Sequence, residues 1–110
     1  MIKIYIYRDE NKNITSYSVK GHANAAKYGE DIVCASISIL AQTTILALHE
    51  LLSIDVIYEM KDGWLYCKLP EGLSNDIREK ANLIMNTMII GIKGTQEMYS
   101  EFIEFHDEEV

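Results

Sequence analysis

The chain has 110 residues, 48% of them apolar and 25% charged, which is typical of one soluble globular domain spanning residues 1–110. Ten basic and seventeen acidic residues give a net charge of −7. Nucleic acids are bound mainly through Lys and Arg, so this balance argues against direct nucleic-acid binding and favours a basic protein or peptide partner. Two cysteines are too few for a disulfide scaffold, and no secretory leader is recognisable, so we expect a reducing, cytoplasmic location.

The first part of the chain predicts a β-hairpin followed by a loop. Residues Met1–Tyr7 place Ile on one face and Lys or Tyr on the other, the period of two that is typical of a half-buried strand. A polar turn over Arg8–Asn13 leads to a second predicted strand, Ile14–Lys20. Residues Gly21–Glu30 are mostly small and contain two glycines, which predicts a loop that is mobile without substrate.

A long helix is predicted from an N-cap at Asp31 to about Leu52. The 18 residues Ile32–His49 contain no Asp, Glu, Lys or Arg, which is close to the length of a membrane span. Ser, Thr and Gln interrupt this apolar run, so we interpret it as a core helix buried on several sides, with no membrane partner.

The second half of the chain predicts another hairpin and another helix. Strands over Ile54–Met60 and Trp64–Leu69 flank a turn at Asp62-Gly63. Ser74 is the candidate N-cap of a helix that extends to about Tyr99.

Two glycines in this last helix, Gly91 and Gly94, predict close packing or a break. Residues Phe102–His106 alternate and predict a possible short final strand, with His106 in a solvated acidic tail. The order ββαββα predicts an α+β fold in which two hairpins and two main helices pack as a layered sandwich on a mostly antiparallel sheet.

Candidate chemistry is concentrated in one stretch, GHANAAKYGEDIVCASIS, from residue 21 to residue 38. Cys34 lies in the first turn of the predicted helix, where unbonded N–H groups and the helix dipole favour a thiolate. His22 follows a predicted strand and could be folded back over the helix terminus as general base and acid. The N–H groups there, including that of Cys34, are candidate oxyanion donors.

Structural interpretations of the same residues remain open. A cysteine in an apolar helix is often only a packing residue, and Asp31 fits a structural cap as well as an orienting partner for His22. Ser38, one turn after Cys34, could donate to the thiolate or bond its own helix carbonyl. A metal site made of His22, Cys34 and a carboxylate lacks ligand spacing, so no metal and no cofactor are predicted. Cys67, in an apolar strand, is interpreted as a core residue.

The motif resembles that of the ribosomal-processing cysteine protease family, often called Prp. The matching residues are Gly21, His22, Ala23, Gly29, Asp31, Val33, Cys34, Ala35 and Ser38. The similarity in element order and length extends over nearly the whole chain, whereas the loop centre, residues 24–27, departs from the family pattern.

This resemblance implies a small cytoplasmic bacterial homodimer that removes a short N-terminal extension from large-subunit ribosomal protein number twenty-seven. It also implies that Cys34 is the nucleophile and His22 its base, with Gly21, Gly29, Asp31 and Ser38 in supporting positions. The alternative hypothesis is a non-catalytic homodimeric binding module that uses the last helix or the sheet edge as its interface. The distance from His22 to the Cys34 sulfur would distinguish the two. Contact or easy loop closure favours the enzyme, whereas a sulfur sealed under the core favours the binding module.

Overall fold

The order of strands and helices agrees with the sequence prediction. The computed structural model describes residues 1–21 and 30–109, and the elements below are those of these residues. They are β1 (Ile2–Arg8), β2 (Ile14–Lys20), α1 (Glu30–Leu52), β3 (Ile57–Lys61), β4 (Trp64–Lys68), α2 (Asn75–Met98), a short 3₁₀ turn (Ser100–Phe102) and β5 (Ile103–Glu109).

The strands form one five-stranded sheet in the order β3-β4-β2-β1-β5. Every neighbouring pair is antiparallel except β1 with β5, which is parallel because α2 carries the chain back across the sheet. The predicted α+β fold on a mostly antiparallel sheet is therefore confirmed.

Both predicted hairpins are present, and local side chains explain their turns. In the β1–β2 turn, the Asp9 carboxylate accepts hydrogen bonds from the N–H groups of Asn11 and Asn13, at 2.9 and 3.0 Å. In the β3–β4 turn, Gly63 has φ of 75°, a left-handed conformation in which glycine carries no steric penalty.

The core lies between one face of the sheet and the two helices, which pack side by side. Alternate residues of β1 are fully buried there, and α1 contributes a stripe at helical spacing, Val33, Ile37, Ala41, Ile45 and Leu48. The Tyr17 hydroxyl of β2 donates to the Ala41 carbonyl oxygen at 2.8 Å. The rotation of α1 about its axis is thereby fixed against the sheet.

The prediction that α1 is buried on several sides is wrong. Ile32, Ile39 and Leu46 are each more than 60% exposed, because the helix packs against the sheet and α2 on one side only. By length and composition alone, Ile32–Leu52 would qualify as a membrane-crossing helix, with a mean hydropathy of 1.8. The side of α1 that faces the sheet carries the buried stripe, whereas Ile32, Ile39 and Leu46 lie on the opposite side.

Several element boundaries differ from the sequence prediction by one to three residues. β3 begins at Ile57 rather than Ile54, because Ile54 is 2% exposed and fills the core from the preceding connection. α1 begins one residue earlier than expected, at Glu30. The predicted cap of α2 is confirmed, since the Ser74 hydroxyl accepts from the Ile77 N–H at 3.2 Å.

The acidic C-terminal segment is a strand, so the prediction of a solvated tail is wrong. β5 continues to Glu109 because it pairs along the whole of β1. Arg8 binds both oxygens of Asp107, at 2.8 and 3.0 Å, and the His106 ring stacks on Tyr5 with ring centroids 4.8 Å apart. These contacts hold β5 in the sheet despite its acidic composition.

The two glycines of α2 have different roles. A Cβ at Gly91 would lie 3.0 and 3.2 Å from the two methyl carbons of Leu40, so this glycine allows α1 to approach closely. A Cβ at Gly94 would have no neighbour within 4 Å among the described residues. Close packing is confirmed at Gly91, and the helix does not break at either position.

We expect Gly94→Ala to raise the free energy of unfolding by about 1 kcal/mol, since alanine has the higher helix propensity and nothing obstructs it. Gly91→Ala should raise the free energy of unfolding by less, or lower it, because the Leu40 side chain must move to make room for the new Cβ. Urea unfolding followed by circular dichroism measures both changes. Equal stabilisation by the two substitutions would show that the contact between Gly91 and Leu40 does not constrain the helix pair.

Candidate active site

Cys34 lies near the start of α1, at the border between the buried and exposed sides of the helix. Val33 before it is fully buried and Ala35 after it is exposed, while the Cys34 side chain is half-buried and packs against the edge of the core. The thiol is therefore not sealed beneath the core. This exposure favours the enzyme hypothesis over the non-catalytic binding module.

The observed start of α1 changes two expectations about the helix terminus. Asp31 is the second helical residue. The prediction that Asp31 is the N-cap is therefore wrong. Cys34 is the fifth helical residue, and the i→i−4 pattern pairs its N–H with the Glu30 carbonyl. The N–H groups without a partner inside the helix belong to the residues before Cys34, so the Cys34 N–H is a poor candidate oxyanion donor.

Other predicted site residues lie in part of the chain that the structure does not describe. His22 and Gly29, and with them most of the predicted mobile loop and the histidine of the rejected metal site, lie outside residues 1–21 and 30–109. The Asp31 side chain is outside the description as well. The pairing of Cys34 with His22 therefore stays a prediction.

Gly21, which immediately precedes His22, has a clear structural role. Its φ is 147°, and a Cβ here would lie 2.7 Å from the Met1 carbonyl oxygen and 2.9 Å from the Ile2 Cα. Its N–H donates to the Gly63 carbonyl at 3.0 Å. Only glycine fits between these backbone atoms, so the end of β2, from which His22 continues, is held against β1 and the β3–β4 turn.

One further polar residue extends the site along α1. Ser38, one turn beyond Cys34, accepts a hydrogen bond from the Gln42 side-chain amide at 2.9 Å. The Ser38 oxygen is the acceptor in this bond, so the hydroxyl hydrogen can still be donated to another group. Sequence reasoning did not identify Gln42, although its i+4 spacing from Ser38 places the two residues on the same helix face.

An apolar cleft of about 300 Å³ opens beyond Gln42, between α1 and the edge strand β3. It begins about 12 Å along the helix axis from Cys34, since eight residues at 1.5 Å each separate Cys34 from Gln42. Its lining combines apolar side chains with a few polar groups: Gln42, Ile45, Leu46, His49, Asp55, Val56, Tyr58 and Met60. Such a lining is suited to an apolar side chain whose backbone is held by polar groups.

The second cysteine has the opposite environment. Cys67 in β4 is 1% exposed, which confirms its interpretation as a core residue. Burial raises the pKa of its thiol to about 12, while a hydrogen bond with Tyr17 acts in the opposite direction. Both cysteines are thiols in the structure. Cys67 is thus unsuited to nucleophilic chemistry.

Comparison with known proteins points to one family. Residues 1–104 match the family described as "Cysteine protease Prp". The ribosomal processing cysteine protease Prp of Bacillus subtilis is 30% identical over 103 residues, covering 92% of each chain. The Staphylococcus aureus protein of the same name is 30% identical over 108 residues, covering 96% of this chain and 98% of its own.

Solved structures agree with this assignment. A Streptococcus mutans crystal structure has a TM-score of 0.84 and 28% identity, covering all of this chain and 96% of its own. The S. aureus ribosomal processing protease Prp in complex with a substrate peptide has a TM-score of 0.86 and 25% identity, covering 98% of this chain and all of its own. With the family match spanning nearly its whole length, the chain belongs to the cysteine protease Prp family.

Proposed function

We propose that this protein is a cysteine endopeptidase in which Cys34 is the nucleophile and His22 the general base. The observation that carries the proposal is the half-buried Cys34 thiol near the N-terminus of α1, in a chain of the Prp family. A helix N-terminus favours the thiolate, and partial exposure gives a substrate carbonyl access to the sulfur.

The reaction follows from the chemistry of a thiol and an imidazole. His22 takes the Cys34 proton, and the sulfur attacks the scissile carbonyl to form a C–S bond. The C–N bond then breaks as His22 returns the proton to the leaving amine. Water, deprotonated by His22, hydrolyses the thioester and restores the Cys34 thiol. N–H groups of the first turn of α1 are the candidate donors to the oxyanion.

We propose the N-terminal extension of large-subunit ribosomal protein number twenty-seven as the substrate. The S. aureus relative, named a ribosomal processing protease, has been solved with a substrate peptide and with a covalently linked product peptide. A net charge of −7 would attract a basic ribosomal protein. The apolar cleft beside Gln42 lies within reach of an extended peptide of about four residues counted from Cys34.

We further propose a cytoplasmic homodimer that forms through the outer side of the two helices. Four large apolar side chains are 61–72% exposed there: Ile39, Leu46, Leu83 and Ile90. Ile39 lines one of two shallow grooves between α1 and α2, and solvent-exposed apolar patches of this kind are typical of interfaces. A cytoplasmic location is consistent with two cysteines in the thiol form.

The two cysteines should differ sharply in reactivity. With a pKa of about 12, fewer than about one Cys67 thiol in 10⁵ is ionised at pH 6.5, and its sulfur is buried. We expect iodoacetamide at pH 6.5 to modify Cys34 first, as followed by peptide mass spectrometry. His22→Ala should slow Cys34 alkylation, whereas the control His49→Ala, at the far end of α1, should not. Equal rates for the two cysteines, or no effect of His22→Ala, would contradict the dyad.

Removal of the proposed nucleophile should abolish cleavage. The test incubates the protein with a synthetic peptide that carries the extension and the first mature residues, and measures products by mass spectrometry. Cys34→Ala is expected to lose at least about 10³-fold in rate, because water replaces the thiolate. Cys67→Ala removes the other thiol and should retain the rate in its folded fraction. Cleavage by Cys34→Ala at the parent rate would refute the assignment, and an inactive parent protein would favour the binding module.

The helix surface should determine the oligomeric state. Light scattering after gel filtration is expected to give about twice the 12.6 kDa chain mass. Ile90→Glu should shift the protein to a monomer, since a buried unpaired carboxylate opposes association. Ile57→Glu, at an exposed isoleucine on β3, is the matched control and should leave the dimer intact. A parent protein that is monomeric at all concentrations, or a dimer that survives Ile90→Glu, would contradict this interface.

A further inference from the structure

The sheet has a second face, opposite the helices, whose central part differs in character from the rest of the protein. Strand alternation and cross-strand pairing place nine residues of β4, β2 and β1 on this face. We call them the central sheet face: Lys3, Tyr5, Tyr7, Ser16, Ser18, Lys20, Trp64, Tyr66 and Lys68. The helices pack on the other face, so among the described elements neither helix covers this one.

The aromatic rings of the central sheet face form two parallel columns. Tyr5 and Tyr7 stack along β1 with ring centroids 6.4 Å apart, and Trp64 and Tyr66 stack along β4 at 6.0 Å. Two strand spacings, about 9.5 Å, separate the columns. The serines of β2 lie between them, and their small side chains leave a shallow depression bordered by rings on both sides.

Positive charge accompanies the rings. Lys20 Nζ lies 5.7 Å from the centroid of the Tyr5 ring, and Lys61 Nζ of the neighbouring β3 lies 5.6 Å from that of Trp64. The nine residues include three lysines and no acidic residue, although the whole protein carries a charge of −7. Acidic residues on this side of the sheet occur on the two edge strands, namely Glu59, Glu104 and Glu108.

We propose that the central sheet face binds single-stranded RNA. Half-buried rings on a sheet provide stacking surfaces for bases, lysines attract phosphates, and serine hydroxyls can bond base edges. A basic peptide would be repelled by the lysines, and a purely apolar partner would leave their charges without a partner. The argument against nucleic acids from net charge applies to the average surface and not to this face.

Fluorescence anisotropy with a fluorescein-labelled ten-nucleotide uridine oligomer tests the proposal on the full chain. Binding at about 50 mM salt is expected in the range of about 10⁻⁴ to 10⁻⁶ M. Trp64 is the only tryptophan of the chain and lies on the face, so its emission should be quenched as bases stack. With three lysines neutralising phosphates, the logarithm of the association constant should fall with log salt with a slope of about −2.

Variants separate stacking from charge. Tyr66→Leu keeps an apolar side chain but removes the ring, and should weaken binding about tenfold. Combined Lys20→Gln and Lys68→Gln should flatten the salt slope by about 1.4. The matched control combines Lys80→Gln and Lys93→Gln on α2, which changes the net charge equally and should leave affinity unchanged.

Several results would overturn the proposal. The first is no binding at 50 mM salt, and the second is that the α2 control pair weakens binding as much as the Lys20 and Lys68 pair. The third is that duplex RNA binds as tightly as the single strand. The fourth is that an oligoglutamate competes as well as unlabelled oligouridine, which would indicate an acidic peptide as the ligand instead. Binding is also measured with Cys34→Ala, where it should persist. The proposal does not depend on the protease assignment, so failure of either leaves the other to be judged separately.

Discussion

The rotational setting of α1 against the sheet is the constraint on which the rest of the molecule depends. Five apolar side chains at helical spacing, from Val33 to Leu48, fill the core on this side of the helix. Burying each of the four larger side chains contributes about 1.5–3 kcal/mol, whereas the hydrogen bond from Tyr17 to the Ala41 carbonyl contributes about 1 kcal/mol. Hydrophobic burial therefore determines that the helix docks, and the hydrogen bond from Tyr17 adds to the apolar stripe in setting the rotation of α1 about its axis. Cys34 lies beside this stripe, which is why its side chain is half-buried at the edge of the core.

The same constraint explains why α1 is apolar on two sides. One side of α1 packs against the sheet, and the opposite side, at Ile39 and Leu46, is exposed in the single chain. A helix apolar in nearly every direction is stable in water only when something covers its second side. A partner of similar character supplies that cover most simply, and a second copy of the same chain is such a partner. The proposed homodimer would therefore account for the sequence pattern that resembles a membrane span, by adding a second protein contact on the side of α1 opposite the sheet.

Sequence reasoning succeeded where local patterns decide and failed where distant contacts decide. β2 was predicted at its observed bounds and Ser74 was identified as a cap, because alternation and capping act within a few residues. The acidic segment after Phe105 does not read as a strand in the sequence, because its pairing with β1 and the contact between Arg8 and Asp107 join opposite ends of the chain. Asp31 was misassigned because several polar residues near a helix start can serve as its cap, and composition does not select among them.

The candidate site shows the same division. Cys34 could be identified from its motif, and Gln42 could have been found from helical spacing alone. The need for glycine at position 21 could not be predicted from the sequence. The atoms that leave no room for a side chain there belong to Met1 and Ile2, which are close only because β1 pairs with β2. The central sheet face was equally hidden, since Tyr7 and Tyr66 become neighbours of the β2 serines only once the strand order is known.

A sheet covered by helices on one side leaves both outer surfaces of the protein available at once. The exposed helix side and the central sheet face lie on opposite sides of the protein, and the cleft at Gln42 shares Leu46 with the exposed helix side. Lys20 and Gly21 are consecutive, so β2 runs from the central sheet face directly into the segment that leads to Cys34. In this two-layer arrangement the proposed partner on the helices and the proposed ligand on the sheet would bind opposite faces of the protein, which a three-layer fold with helices on both faces would not permit.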